Sequence, residues 1–115
     1  MKRILPSLRQ KKRYLVFEIV SNKKISNFEP FSKAIWQKAL AFLGELGTSK
    51  AGILILKEKF NSNIQMGIIK VNNLYLAHLK SVLLMVEKIG NQKVILKSVG
   101  VSGVLRKAEQ KYMTS

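Results

Sequence analysis

A chain of 115 residues with 47% apolar side chains is one domain with enough material for its own core. It contains no Cys, which excludes disulfides, thiolate metal sites and Cys nucleophiles. Its 21 Lys and Arg against six Glu give a formal charge of +15, an excess best tolerated when a polyanion is the working partner.

The excess is uneven. Residues 1–24 carry eight basic residues and one acid, and residues 93–115 carry five and one. Nucleic acid is the leading partner class and an anionic membrane surface the second. Met1 to Arg13 lacks the apolar stretch of a secretory signal. A basic, acid-free leader also fits an organellar transit peptide, but this one runs straight into a strand. The longest apolar run, Val82 to Val86, is far short of the ~20 residues of a membrane span. A cytoplasmic protein with no membrane partner is expected.

In chain order, residues 1–12 are expected to form a flexible basic arm and residues 13–113 a single domain. Arg13 to Val20 is rich in β-branched and aromatic residues and predicts a strand. Ser26 or Asn27 then offers a helix cap, with Pro30 in the first turn. From Phe31 helical spacing takes over: Phe31, Ile35, Trp36, Ala39, Phe42, Leu43 and Leu46 fall on one half of a wheel. Gly44 and Gly47 are expected to end this helix. Ile53–Phe60 and Ile64–Val71 predict two strands joined by a turn at Asn61-Ser62-Asn63. Asn72 or Asn73 is expected to cap a second helix, whose inner stripe is Tyr75, Leu76, Leu79, Val82, Leu83, Val86 and Ile89, with Gly90 as its stop. Val94–Val99 predicts the last strand, Gly100–Gly103 a turn, and Val104–Tyr112 a short basic helix.

This order is βαββαβ with one helix added, the α+β arrangement of ferredoxin-like and RNA-recognition-motif-like domains, with both central helices on one face of an antiparallel sheet. A sheet with one wet face alternates apolar and polar residues. Leu15-Val16-Phe17, Ile53–Leu56 and Val94-Ile95-Leu96 do not alternate, so something covers the second face. The C-terminal helix is expected to do so with Val104, Leu105, Ala108 and Tyr112.

Chemistry is hard to place. No two Glu lie closer than eleven residues, so no carboxylate cluster for a two-metal site is recognisable, and neither a metal site nor a bound cofactor is expected. His78 is the only His, and it lacks an Asp to orient it. The loop Ser21–Ser26, where a phosphate-ester enzyme of this fold class would cradle its substrate, has neither Gly nor Arg. No catalytic residue is therefore expected in this polypeptide.

Binding is easier to place. The third predicted strand has no aromatic for base stacking, and Tyr14 and Phe17 point to opposite faces. What remains is recognition of phosphates and shape. Arg9, Lys11, Lys12 and Arg13 form the densest basic run, and Arg106, Lys107 and Lys111 share one side of the last helix. Leu74, Leu84 and Met85 lie off the core stripe of the second helix and suggest a protein partner. The alternatives are a ferredoxin-like interaction module with no RNA and a small phosphate-ester enzyme.

Leu8 to Glu18 resembles the start of the archaeal ribonuclease P protein component 2 family. So do Ile35-Trp36 and Leu43-Gly44-Glu45-Leu46-Gly47, then Gly67–Val71 and Ser98–Arg106, in the family's order. The resemblance covers residues 6–113. It implies an RNA-recognition-like sandwich with helices on both faces, in a protein subunit that supports the catalytic domain of ribonuclease P RNA. The RNA, with Mg²⁺, then removes the 5′ leader from precursor tRNA. It further implies a barrel-like partner subunit and a complex with two copies of each, hence a possible homodimer within a heterotetramer.

Overall fold

The computed structural model describes residues 11–113. The β1 strand, Lys12–Ser21, is central. It is followed by α1 (Phe28–Ala51), β2 (Leu54–Ile55), β3 (Met66–Asn72), α2 (Leu76–Met85), β4 (Lys88–Ile89), β5 (Gln92–Ser102) and α3 (Leu105–Tyr112). The strands form one antiparallel sheet in the order β2-β3-β1-β5-β4. Apart from the added edge strand β4, this is the ferredoxin-like order expected from the sequence.

The two faces of the sheet are filled by alternate residues of β1, as strand periodicity requires. Leu15, Phe17 and Ile19 join Phe31, Ile35 and Ala39 of α1 and Leu79, Val82 and Leu83 of α2 in the main core. Val16 faces the other way and meets Ile68 and Ala108, with Tyr14, Leu105, Tyr112 and Met113 around them. The last helix covers the middle of the second face, while Val20, Leu54 and Ile95 on that face stay exposed. Gly100 permits this, because a Cβ there would stand 2.2 Å from ring atoms of Tyr112. Val104, expected in the apolar stripe, instead precedes the first turn and is half exposed.

Several boundaries differ from those the sequence predicts. The first helix does not stop at Gly44. That residue takes φ +74° and ψ 174°, which kinks the helix, and the chain then continues to Ala51 and ends at Gly52 in the left-handed conformation. The kink resets the helical phase. Past it, Thr48 and Ala51 turn inward and Leu46 is left outside at 69% exposure, while Phe42, which precedes the kink, is exposed as well at 47%. The Thr48 hydroxyl donates to the carbonyl of Ala39 across the break (3.2 Å), satisfying an acceptor near the interrupted helical ladder.

The strand predicted at Ile53–Phe60 pairs only through Leu54 and Ile55. A 3₁₀ turn at Lys57–Lys59 follows, and an isolated bridge from Asn61 to Met66 leads into β3. Neither Asn72 nor Asn73 caps α2 with its side chain. That helix ends at Met85, and Val86–Ile89 leave it to form the edge strand β4. Gly90, with φ +63°, turns the β4–β5 hairpin instead of stopping a helix. β5 is longer than predicted and includes Gly100 to Ser102. A register shift opposite Val16 and Phe17 leaves Val99 as the extra residue of a β-bulge.

Candidate nucleic-acid interface

β1 and β5 run antiparallel, so the start of one lies beside the end of the other, and Tyr14 pairs with Ser102. This register brings together two basic segments that are nearly a hundred residues apart in sequence. Lys12 and Arg13 open β1, and Lys11 immediately precedes them. Gly103 and Val104 lead from β5 into α3, which carries Arg106, Lys107 and Lys111. The Arg13 guanidinium lies over this junction, with Nη1 2.9 Å from where a Cβ on Gly103 would sit. The Ser102 hydroxyl accepts from the Val104 amide (3.1 Å), which fixes the turn into the helix.

The inward side of α3 is Leu105, Ala108 and Tyr112, so Arg106, Lys107 and Lys111 are exposed. Its first turn holds no acid. Its one acid, Glu109, is paired with Lys59 at 3.1 Å, which leaves the three cations of the helix without an ion pair among the described residues. Lys111 also lies 5.5 Å from the ring centre of Tyr112.

The β1 cations are held firmly. The Asn73 amide donates to the Lys11 carbonyl (2.7 Å). The Lys12 ammonium donates to Oδ1 of Asn72. Asn72 is 5% exposed, and its Nδ2 donates to the carbonyl of Lys50 near the end of α1 (2.5 Å). Sequence reasoning read Asn72 as a helix cap and missed this fastening. Its only signal was an amide side chain ending an apolar strand. Lys12 belongs to β1, so the strand begins inside what the sequence suggested was an arm. Arg9 and the rest of residues 1–10 lie outside the described residues.

The loop after β1 is built as a brace. The Ile25 amide donates to Gln65 Oε1 (2.8 Å), and Gln65 Nε2 donates to the carbonyls of Ile25 (3.0 Å) and Ser62 (2.6 Å). Gln65 takes φ +55°, a conformation uncommon outside glycine, to do this. An amide that a phosphate cradle would use is thus already occupied. His78 is exposed and lies against two rings, Tyr75 at 5.1 Å and Phe42 at 6.4 Å. Among the described residues no three His, Asp or Glu side chains gather in a group able to hold a metal ion. No helix of the described residues is long and apolar enough to cross a membrane.

Apolar side chains are exposed on α1, on α2 and in the turn before α2. Leu74, Leu84 and Met85 are exposed, as expected, and they have company. Leu40, Phe42 and Leu46 of α1 are exposed too. The phase reset at Gly44 hid Leu46 from wheel-based reading.

The chain as a whole has known relatives. The family model described as the Rpp14/Pop5 family matches residues 13–113. The chain is 35% identical over 113 residues to ribonuclease P protein component 2 of Pyrococcus furiosus, covering 98% of this chain and 92% of the relative. It is 33% identical over 113 residues to the protein of the same name from Methanosarcina mazei, covering 98% and 93%. A chain of the cryo-EM structure of yeast ribonuclease MRP shares the fold, with a TM-score of 0.60 at 13% identity over 91% of this chain and 80% of that one. With a match across nearly all the described residues and relatives aligned end to end, this chain belongs to the Rpp14/Pop5 family.

Proposed function

We propose that this chain is a protein subunit of ribonuclease P, in which it binds the catalytic domain of the ribonuclease P RNA and supports removal of the 5′ leader from precursor tRNA. The observation that carries this reading is the basic end that β1 and α3 share, in a chain whose relatives are ribonuclease P protein component 2. Folding an RNA core forces phosphates together. Lys and Arg held on a rigid sheet neutralise them with little ordering cost at the moment of binding. Arg13 suits bidentate phosphate contact, while Lys11, Lys12, Lys107 and Lys111 act as point charges. Arg9 belongs to the same proposal by sequence.

The RNA carries the Mg²⁺ and the chemistry, and this chain needs no cofactor of its own. Its contribution is to favour the active RNA shape and lower the Mg²⁺ that shape requires. The exposed apolar residues of α1 and α2, Leu84 and Met85 among them, with Leu74 in the turn before α2, are the surface we assign to a barrel-like partner subunit. A homodimer within a heterotetramer and a cytoplasmic location complete the reading.

The test is cleavage of precursor tRNA by an archaeal ribonuclease P RNA, with the other protein subunits, with and without this polypeptide. Omission is expected to raise the Mg²⁺ needed for half-maximal rate. R106Q/K107Q/K111Q is expected to lower the slope of log affinity against log salt by roughly 2 to 3, about 0.7 to 0.9 per contact. Its folding stability should stay within ~0.5 kcal/mol of wild type, because these are surface positions. Equal Mg²⁺ dependence with and without the chain would sink the reading.

A further inference from the structure

The opposite end of the sheet holds a second group of cations that the proposed interface does not use. In the β4–β5 hairpin Lys88 stands directly across from Lys93, and both are exposed. Like charges facing each other on an antiparallel pair are destabilising. Lysines do guard sheet edges against pairing with other strands, but a guard does not require two of them face to face. Neither has an ion-pair partner among the described residues.

The surroundings reinforce the pair. Lys88 lines an open cleft with Lys33, Ser32 and Gln37 of α1, which adds a third cation and two neutral polar side chains. Lys93 lines a neighbouring depression with Asn22 and the exposed apolar Val20 and Ile95, and Asn22 is followed in sequence by exposed Lys23 and Lys24. Two acids share this end. Glu29 borders the cleft and lies 3.9 Å from Lys57, and Glu87 sits in the depression with Lys93. The lysines outnumber them.

This group is remote from the first. β1 runs from Lys12 at one end to Ser21 at the other, and Ser21 pairs with Val94 of the hairpin. At about 3.3 Å per residue that is roughly 30 Å. One phosphate group cannot serve both ends.

We infer that the β4–β5 hairpin, with Lys33 and the loop after β1, is a second phosphate-binding surface, and that the chain bridges two stretches of RNA backbone. The inference rests on the ribonuclease P reading above. Its partner is the sugar-phosphate backbone, because the surface offers lysine charge and small polar donors but no exposed aromatic for stacking a base.

The experiment uses the full chain and a transcript of an archaeal ribonuclease P RNA. K88Q/K93Q is expected to weaken binding roughly tenfold at low salt and to lower the salt slope by about 1.4 to 1.8, two contacts' worth. K93Q alone should give half that change. In backbone footprinting, K88Q/K93Q should lose one protected stretch, and R106Q/K107Q/K111Q should lose a different one. Removing the repulsion should leave the unfolding midpoint of K88Q/K93Q at or above that of wild type, so misfolding is not a rival explanation. A variant with the wild-type slope and footprint overturns the second surface alone and leaves the lysines as edge guards. Wild-type protein that binds the RNA without salt dependence overturns both readings.

Discussion

The two faces of the sheet are built to different depths. Among the described residues, the core between the sheet and the helices α1 and α2 holds nineteen buried apolar residues, with Phe17, Phe31 and Phe60 stacked at ring separations of 4.9 and 5.4 Å. Among the described residues, the core between the sheet and α3 holds only Val16, Ile68 and Ala108 fully buried. The first face therefore carries the stability of the domain, and the second holds a short helix by a thin contact. Yet the thin side bears three of the cations assigned to RNA. The scaffold and the helix proposed to meet RNA are therefore separable. α3 belongs to the low-stability end of the molecule, where local opening is cheap.

This contrast can be broken at either face, and the largest effect belongs to the deep one. Phe31→Ala removes a fully buried ring that contacts Phe17, Phe28 and Phe60. We expect a loss of about 3–5 kcal/mol in chemical denaturation, with the whole domain unfolding together. A smaller, local effect is expected from Gly100→Ala, whose new methyl collides with Tyr112. Overpacking of this kind costs about 1–3 kcal/mol where the neighbour cannot yield. Here the neighbour is the last turn of α3, so the signature should be faster hydrogen exchange at residues 105–112 with β1 and β3 still protected. Slow exchange in α3 of this variant would mean that Tyr112 does not anchor the helix and that the second face is stronger than its burial indicates.

Much of this architecture was legible in the sequence because it follows from periodicity and from two-sided strands. Leu15-Val16-Phe17 cannot be half wet, so a cover over that part of the second face was required, and the expected stripe supplied it through Leu105, Ala108 and Tyr112 without Val104. The same reasoning applied to Ile95 fails, because that residue is exposed. Three features were not legible. A wheel assumes a straight helix, and the non-helical Gly44 turned Leu46 outward and Thr48 inward. Val86 and Ile89 happen to keep helical spacing with Leu79 and Val82, which disguised β4 as the end of a helix. The meeting of Arg13 with the α3 junction depends on the register of β1 and β5, which no local pattern encodes. The basic residues of the candidate interface were visible as two clusters, but their union at one end, and the pairing of Lys88 with Lys93, needed the sheet.

The finest test of the contrast is Glu109→Gln, because it separates what holds α3 from what α3 presents. Glu109 is the only acid on the helix, and its partner Lys59 belongs to the 3₁₀ turn after β2. The pair is about a third exposed on both sides, at 29% and 38%, which puts it near the surface class worth roughly 0.2–1 kcal/mol. Glutamine keeps the shape and removes the charge, so stability should fall by no more than that. Affinity for the ribonuclease P RNA should move the other way. Lys59 is freed, the helix loses its one negative charge, and the salt slope should steepen by up to about 0.9. Opposite signs in the two measurements are expected only if α3 is a carrier of charge on a weakly held support. A fall in both would show that the position of the helix, set partly by this ion pair, matters more to RNA than the charge it carries.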